Sequence, residues 1–386
     1  MTSSERAGRR TAGGPGRPRP EPSDGQPRGT GRTPVDAAVT DAALALVRTP
    51  SPSRQEALAA CLFVEIAREW GLEAFIDDAG NAQAWTAADP TGSPTVLLLG
   101  HIDTVPGGPS ASLADGVLHG RGSVDAKGPL VAMLAAAARY AAQRRPDGLR
   151  VGVVGAVEEE TPCSRGAMWI REHLPPPDAV VIGEPSGWDA ITLGYKGKLD
   201  LEYAVRTPAR HPAHPGPQAS EDMLTFCARV LDLYGTAGNS SFKKVSLAVT
   251  SLHGDCHAAR CSLSFRTPPG LGVADLVSWV EDQSAGGEVS VINAVDAVRV
   301  RRNDPVVSAL SAAIARADGR SRHQVKTGTS DMNTLAEVWQ VPMATYGPGD
   351  AALDHSDEEQ LQVRELLSST RVLHDALTIL ETRLPR

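Results

Sequence analysis

The chain has little cysteine, few aromatics and no long apolar run, and the first and last of these shortages each exclude a class of protein. Its five cysteines (Cys61, Cys163, Cys227, Cys256 and Cys261) are odd in number and form no Cys-x-x-Cys pair. That argues against a disulfide framework and against a thiolate metal site, and it fits a reduced, cytoplasmic location. No apolar stretch nears the roughly 18 residues that a membrane span needs. Basic charge is also short, with 38 Lys and Arg against 46 Asp and Glu and a net charge of −8. An acidic body with an aromatic-poor tail excludes a nucleic-acid binder. No internal repeat is present.

What is there is enough for a sizeable core. The 386 residues are 41% hydrophobic, ordinary for a globular protein and long enough for two domains. Residues 1–34 differ in kind. They are rich in Gly, Pro, Arg and Ser and read as a disordered extension. They hold seven Arg against three acids, net +4, which leaves −12 for the rest. Arg9-Arg10 is followed by no apolar segment, so an export signal is not expected.

Chemistry concentrates where apolar runs stop. Thr95 to Leu99 reads as a buried strand, and Gly100-His101-Ile102-Asp103 follows it. The C-terminal ends of strands are where open α/β sheets place ligands. A His with a carboxylate two residues on suits a metal ligand whose tautomer the carboxylate holds, although a simple loop hydrogen bond is the commoner meaning of such a pair. Asp125 begins the next helix and offers a second ligand. Strand-like Val151 to Val157 runs into Glu158-Glu159-Glu160, and strand-like Ala179 to Ile182 ends in Gly183-Glu184-Pro185. Leu353-Asp354-His355-Ser356 comes much later. There, Ser356 and Glu359 have the spacing of a capping box, which predicts a closing helix over Ser356 to Leu380 with His355 at its entry. Each signal alone is weak, but together they place two His, one Asp and two Glu at element boundaries.

These motifs resemble the M20 metallopeptidases, also called the ArgE/DapE/carboxypeptidase group, over about 350 residues. Within that family, Ile182 to Trp188, Leu193 to Lys198, Lys326 to Asn333 and Tyr346 to Asp350 resemble the lysine-biosynthesis hydrolases. Those enzymes release lysine or ornithine from an amino-group carrier protein. The resemblance implies that His101 and Glu184 hold one metal, that Glu160 and His355 hold the other, and that Asp125 bridges them. Asp103 would orient His101, and Glu159 would be the general base. The base and ligand stand one residue earlier, at Glu158 and Glu159, if the register of the Glu run is shifted.

The chemistry is coherent by itself. Two divalent ions roughly 3.5–4 Å apart would acidify a shared water and polarise an amide carbonyl. A Glu beside that water can take its proton and hand it to the leaving nitrogen. Imidazole and carboxylate ligands without thiolate suit Zn2+, two per chain, with Co2+ or Mn2+ also suited. Three carboxylates against two divalent ions leave the site net positive, which favours an oxyanion.

The expected architecture is a catalytic α/β domain with a mixed central sheet, residues 35–193 and 303–386. A smaller ferredoxin-like α+β lid and dimerisation domain, residues 194–302, interrupts it. Helices are predicted over Asp36 to Val47, Arg54 to Trp70, Lys127 to Gln143, Ser220 to Tyr234 and Val273 to Gln283, and another opens at Asp304-Pro305. Lid strands are predicted over Lys198 to Val205, Lys244 to Ser251 and Cys261 to Phe265. In the lid, His211 matches a family His that reaches the other protomer's site, with Pro212 in place of the usual Ser. His214 is a weaker candidate. Arg266 matches a family Arg that clamps a substrate carboxylate, and its alternative is a turn cap. Asp331, Asn333 and Lys196 are candidate substrate contacts, and for the first two a local Asx turn is the alternative. Cys163, close to the Glu run, reads as a small polar filler. Lys196, Lys198, Arg206, Arg210, Lys243 and Lys244 make the lid locally basic, which would help an acidic carrier protein to dock. Solvated strand faces account for the same lysines. The implied activity is hydrolysis of the bond between a carrier's terminal Glu and lysine or ornithine. The alternatives are a small-molecule deacylase, a dipeptidase, and a non-catalytic binding protein on the same scaffold.

Overall fold

The structure is a computed structural model. It describes residues 33–87, 92–144, 147–208, 211, 215–235 and 241–385. The extension over residues 1–32, Arg210, Pro212 and His214 lie outside the described residues.

A mixed sheet forms the centre. Its strand order is Glu73–Ile76, Ala82–Trp85, Arg150–Ala156, Thr95–His101, Ala179–Gly183, Met343–Thr345, Ala190–Tyr195 and Val298–Arg299. Arg322–Lys326 pairs with Ala190–Tyr195 off that path. Four neighbouring strands, from Arg150–Ala156 to Met343–Thr345, run parallel. Their buried Val, Leu and Ile runs are what a sheet covered on both faces requires. The helices Asp36–Arg48, Lys127–Gln143, Pro305–Arg316 and Val363–Glu381 pack on one face around Leu46, Leu134, Leu310 and Leu373. Arg165–His173 and Asp331–Ala336 cover the other face around Ile170, Leu335 and Trp339.

A second sheet has the order Ser246–Gly254, Ala258–Thr267, Gly197–Arg206 and Glu288–Val295, all antiparallel. With the helices Ala219–Tyr234 and Val273–Gln283 it makes the split βαβ pattern expected of the lid. Alternate residues Leu199, Leu201 and Tyr203, with Cys261, Leu263 and Phe265, point to those helices. The opposite face carries Lys198, Asp200, Ser264 and Arg266 and is left open by them.

Several helix predictions agree closely with the structure. Lys127–Gln143 and Val273–Gln283 stand as read, and Asp304 accepts the Val306 N–H ahead of Pro305. The closing helix is a correction. It begins at Val363, with Gln362 as N-cap, because Gln360–Gln362 first forms a strand with Val117–His119. Ser356 therefore does not cap the closing helix; its hydroxyl donates to the Leu353 carbonyl and accepts the Glu358 N–H in a local turn.

Candidate active site

Three parallel strands end side by side. Gly100 pairs with both Gly155 and Gly183, so the residues just beyond them meet at one edge of the sheet. That register, set by apolar strands far from the acids, brings together His101, the Glu run and Glu184. The turn after Ala156 is held from behind. Asn81 accepts the Val157 N–H and donates to the Gly166 carbonyl. A Cβ on Gly166 would stand 2.3 Å from Asn81 Oδ1 and 2.5 Å from the Val157 nitrogen, so only glycine lets the next helix dock there.

Asp125 is the hub. Its Oδ1 lies 3.1 Å from His101 Nε2, and its Oδ2 lies 2.9 Å from His355 Nε2. Glu184 Oε1 stands 3.7 Å from His101 Nε2, and Glu160 Oε1 stands 2.8 Å from His355 Nε2. One carboxylate thus offers an oxygen to each of two imidazoles, and each imidazole has its own second carboxylate. Ligand atoms of His101, Asp125 and Glu160 all lie within 4.8 Å of one another. This donor set fits a pair of divalent cations.

The electrostatics point the same way. Burial, followed by the charge of Asp125, pushes the Glu184 carboxyl up to about 8. Burial raises Glu160 and drives Glu159 well above the carboxylate range. Hydrogen bonding to Asp125 lifts His355 to about 9. A crowd of buried acids that takes up protons in this way is one that bound cations would neutralise.

Asp103 touches His101 through both its backbone carbonyl and its carboxylate. The His101 Nδ1 lies 2.9 Å from the Asp103 backbone carbonyl, and the carboxylate is farther off at 3.5 Å. The buried carboxylate also accepts the N–H groups of Glu159 and Glu160 and the Ser53 hydroxyl. It therefore orients the Glu run as well as the imidazole. Glu158 turns away to Arg165 and Arg54, at 2.5 and 3.3 Å. The geometry accordingly puts Glu159 and Glu160, not Glu158, toward the cluster.

A cavity of about 810 Å³ opens over these groups. Arg266 lines it and donates to the Thr329 hydroxyl at 2.8 Å. Cys163 is exposed on its wall. Four candidates do not line it. Lys196 is buried and donates to the Lys244 carbonyl at 2.6 Å, because a buried ammonium must find an acceptor. Lys198 and Lys326 line the cavity in its place. Asn333 donates to the carbonyls of Lys196 and Asp296 and accepts the Ser330 N–H, so its amide is used up internally. Asp331 is buried within electrostatic reach of Glu159 but does not line the cavity, and burial pushes it up to about 7. His211 is exposed and does not line the cavity of its own chain. Of the basic lid residues, Arg206, Lys243 and Lys244 are exposed outside the cavity.

Glu359 is the residue that local reasoning misread. It is fully buried, and its Oε1 accepts the N–H groups of Gly122, Val124 and Asp125 at 2.9, 3.0 and 3.2 Å. Its Oε2 accepts from Arg121, which also donates to the His355 carbonyl. The loops bearing Asp125 and His355 are thereby clamped together. The Gly120-Arg121-Gly122 loop held the signal, since its backbone donors need an acceptor once buried. Glu359→Ala is expected to lose roughly 3–5 kcal/mol of stability, because it strands three buried N–H groups and removes the carboxylate partner of the half-buried Arg121. Denaturant unfolding of the metal-free protein measures this, and an unchanged midpoint would contradict the clamp.

Comparison with known proteins comes to the same place. A relative from Deinococcus radiodurans named LysW-lysine hydrolase is 39% identical over 364 residues, 90% of this chain and 98% of its own. One from Thermococcus kodakarensis, named putative LysW-lysine/LysW-ornithine hydrolase, is 35% identical over 86% of this chain and 89% of its own. Among solved structures, aminopeptidase PepT from Bacillus cereus matches 89% of this chain and 98% of its own, with a TM-score of 0.75 at 18% identity. The Bacillus subtilis protein YXEP, described as a dinuclear metal binding peptidase from the M20 family, matches 90% of this chain and 98% of its own, with a TM-score of 0.71 at 13% identity. The model of peptidase family M20/M25/M40 matches residues 97–378, which span all five residues of the two-imidazole, three-carboxylate cluster, and the chain belongs to that family of hydrolases.

Proposed function

We propose that this enzyme is a dinuclear amide hydrolase that frees lysine, ornithine or a related amino acid from the terminal Glu γ-carboxyl of a small acidic amino-group carrier protein. The observation that carries the chemistry is Asp125 set between His101 and His355, each with its own acid. The choice of substrate is supported by similarity to LysW-lysine hydrolases over nearly their whole length.

In this reading His101 and Glu184 hold one cation, Glu160 and His355 the other, and Asp125 both. The metal proposed is zinc, two per chain, with cobalt or manganese also suited. When bound, such a pair acidifies a shared water and polarises the scissile carbonyl. Glu159 takes the proton of the attacking water and delivers it to the leaving nitrogen. Asp103 holds the backbone of Glu159 for that task. Arg266 takes a substrate carboxylate through its planar fork. His211 acts on the oxyanion of a second protomer's site, residues 194–302 serving as lid and dimer contact. The location proposed is cytoplasmic, and among the described residues no helix is long and apolar enough to cross a membrane.

The test is hydrolysis by the zinc-loaded protein of a carrier charged with lysine or ornithine. Acetylornithine and succinyl-diaminopimelate are run alongside, with a chelated control. Metal-dependent release from the carrier is the expected result. Turnover of the small amides alone would discard the carrier and keep the metal chemistry.

A further inference from the structure

Arg266 and Lys198 stand directly opposite each other across two antiparallel lid strands. Both lie on the open face of the lid sheet, and both line the cavity above the metal cluster. Like charges at paired positions repel, and a sheet keeps such a pair at a cost in stability. Nothing in the charge balance of the chain forces it, since acids outnumber bases. Among the described residues Arg266 has no carboxylate within ion-pair distance, and burial works against its charge. Lys198 is held by Asp200 at 3.0 Å, and Ser264 donates to the other Asp200 oxygen. That bracing aims the ammonium while leaving it on the cavity wall. The other cavity lysine, Lys326, acts on Glu184 and Asp354, lowering both against their burial.

The substrate of the proposed function carries the answering charges. A γ-linked glutamyl residue keeps its own α-carboxylate free, and the amino acid joined to it keeps another. Two carboxylates therefore flank the scissile amide, and the paired strands present two cations side by side on the cavity wall. We propose that Lys198 is a specificity residue that binds the α-carboxylate of the glutamyl side, leaving Arg266 for the carboxylate of the released amino acid. An anionic ligand between them turns the repulsive pair into a clamp. This inference rests on the proposed glutamyl amide substrate, and it adds which residue reads the acyl half.

The experiment uses the zinc-loaded full chain and two probes that differ in one carboxylate, Nα-glutaryl-lysine and Nα-butanoyl-lysine. The wild type is expected to favour the glutaryl amide, and Lys198→Gln to lose roughly 10–100-fold in kcat/KM on that probe alone, the range of one charge-assisted hydrogen bond. Lys198→Arg should recover most of the loss. Equal losses on both probes mean a merely structural lysine and overturn the proposal. So does a wild type that treats the probes alike, or a Lys198→Gln variant that keeps its preference. If the wild type cleaves neither probe nor the charged carrier, the proposed function itself falls, and this inference with it.

Discussion

Glu159→Gln is expected to keep both metals and to lose nearly all turnover. The substitution preserves shape and removes only the proton acceptor. The metal-ligating positions at His101, Asp125, Glu160, Glu184 and His355 are untouched, and the Glu159 N–H bond to Asp103 belongs to the backbone and survives. General acid–base catalysis contributes about 10²–10⁴-fold, or about 3–5 kcal/mol of barrier. Here one group serves both proton transfers, so the loss in kcat should sit at or above the upper end. Metal content by elemental analysis should remain two per chain. Wild-type rates in this variant would remove Glu159 from the mechanism. They would return attention to Glu158, even though Glu158 is occupied by Arg165 and Arg54.

Asp125→Ala is expected to break the paired site. Among the described residues, Asp125 is the one that touches both imidazoles, and its two oxygens serve different partners. Its carboxylate is held well below the usual range by hydrogen bonds to those imidazoles, despite burial, so it stays charged in the folded protein. Without it the His101 Nε2 side keeps Glu184 at 3.7 Å and His355 Nε2 keeps Glu160. Two ligands each are too few for tight binding of a divalent ion. Metal content should fall below two per chain after dialysis, with activity lost in parallel. A variant that still holds two ions at wild-type affinity would refute the bridging role. Glu159→Gln and Asp125→Ala thus separate two failures, one with metal and no base, the other with a base and no metal pair.

Much of this molecule is legible in its sequence, for a local reason. Strand and helix periodicity, the Asp304-Pro305 start and the acids at strand ends are short-range patterns. Sheet register then carries those ends to one edge, so the sequence already groups His101, the Glu158 to Glu160 run and Glu184. The second, split βαβ sheet was legible in the same way, because its alternation reflects one face packed on helices and one left open.

Tertiary structure decided what local pattern cannot encode, namely which partner a polar group finds. Glu359 has the spacing of a cap, yet the backbone donors it serves lie 234 to 237 residues away. Lys196 and Asn333 stand in motifs that suggested ligand contacts, but burial made each satisfy nearby carbonyls instead. The Glu run offers three equivalent acids, and only Arg54, Arg165 and Asp103, brought in from other elements, tell them apart. The sequence by itself determined which residues could carry the chemistry. The fold decided which of them are free to do it, because a buried polar group must be paired, and its partners come from whichever segments pack against it.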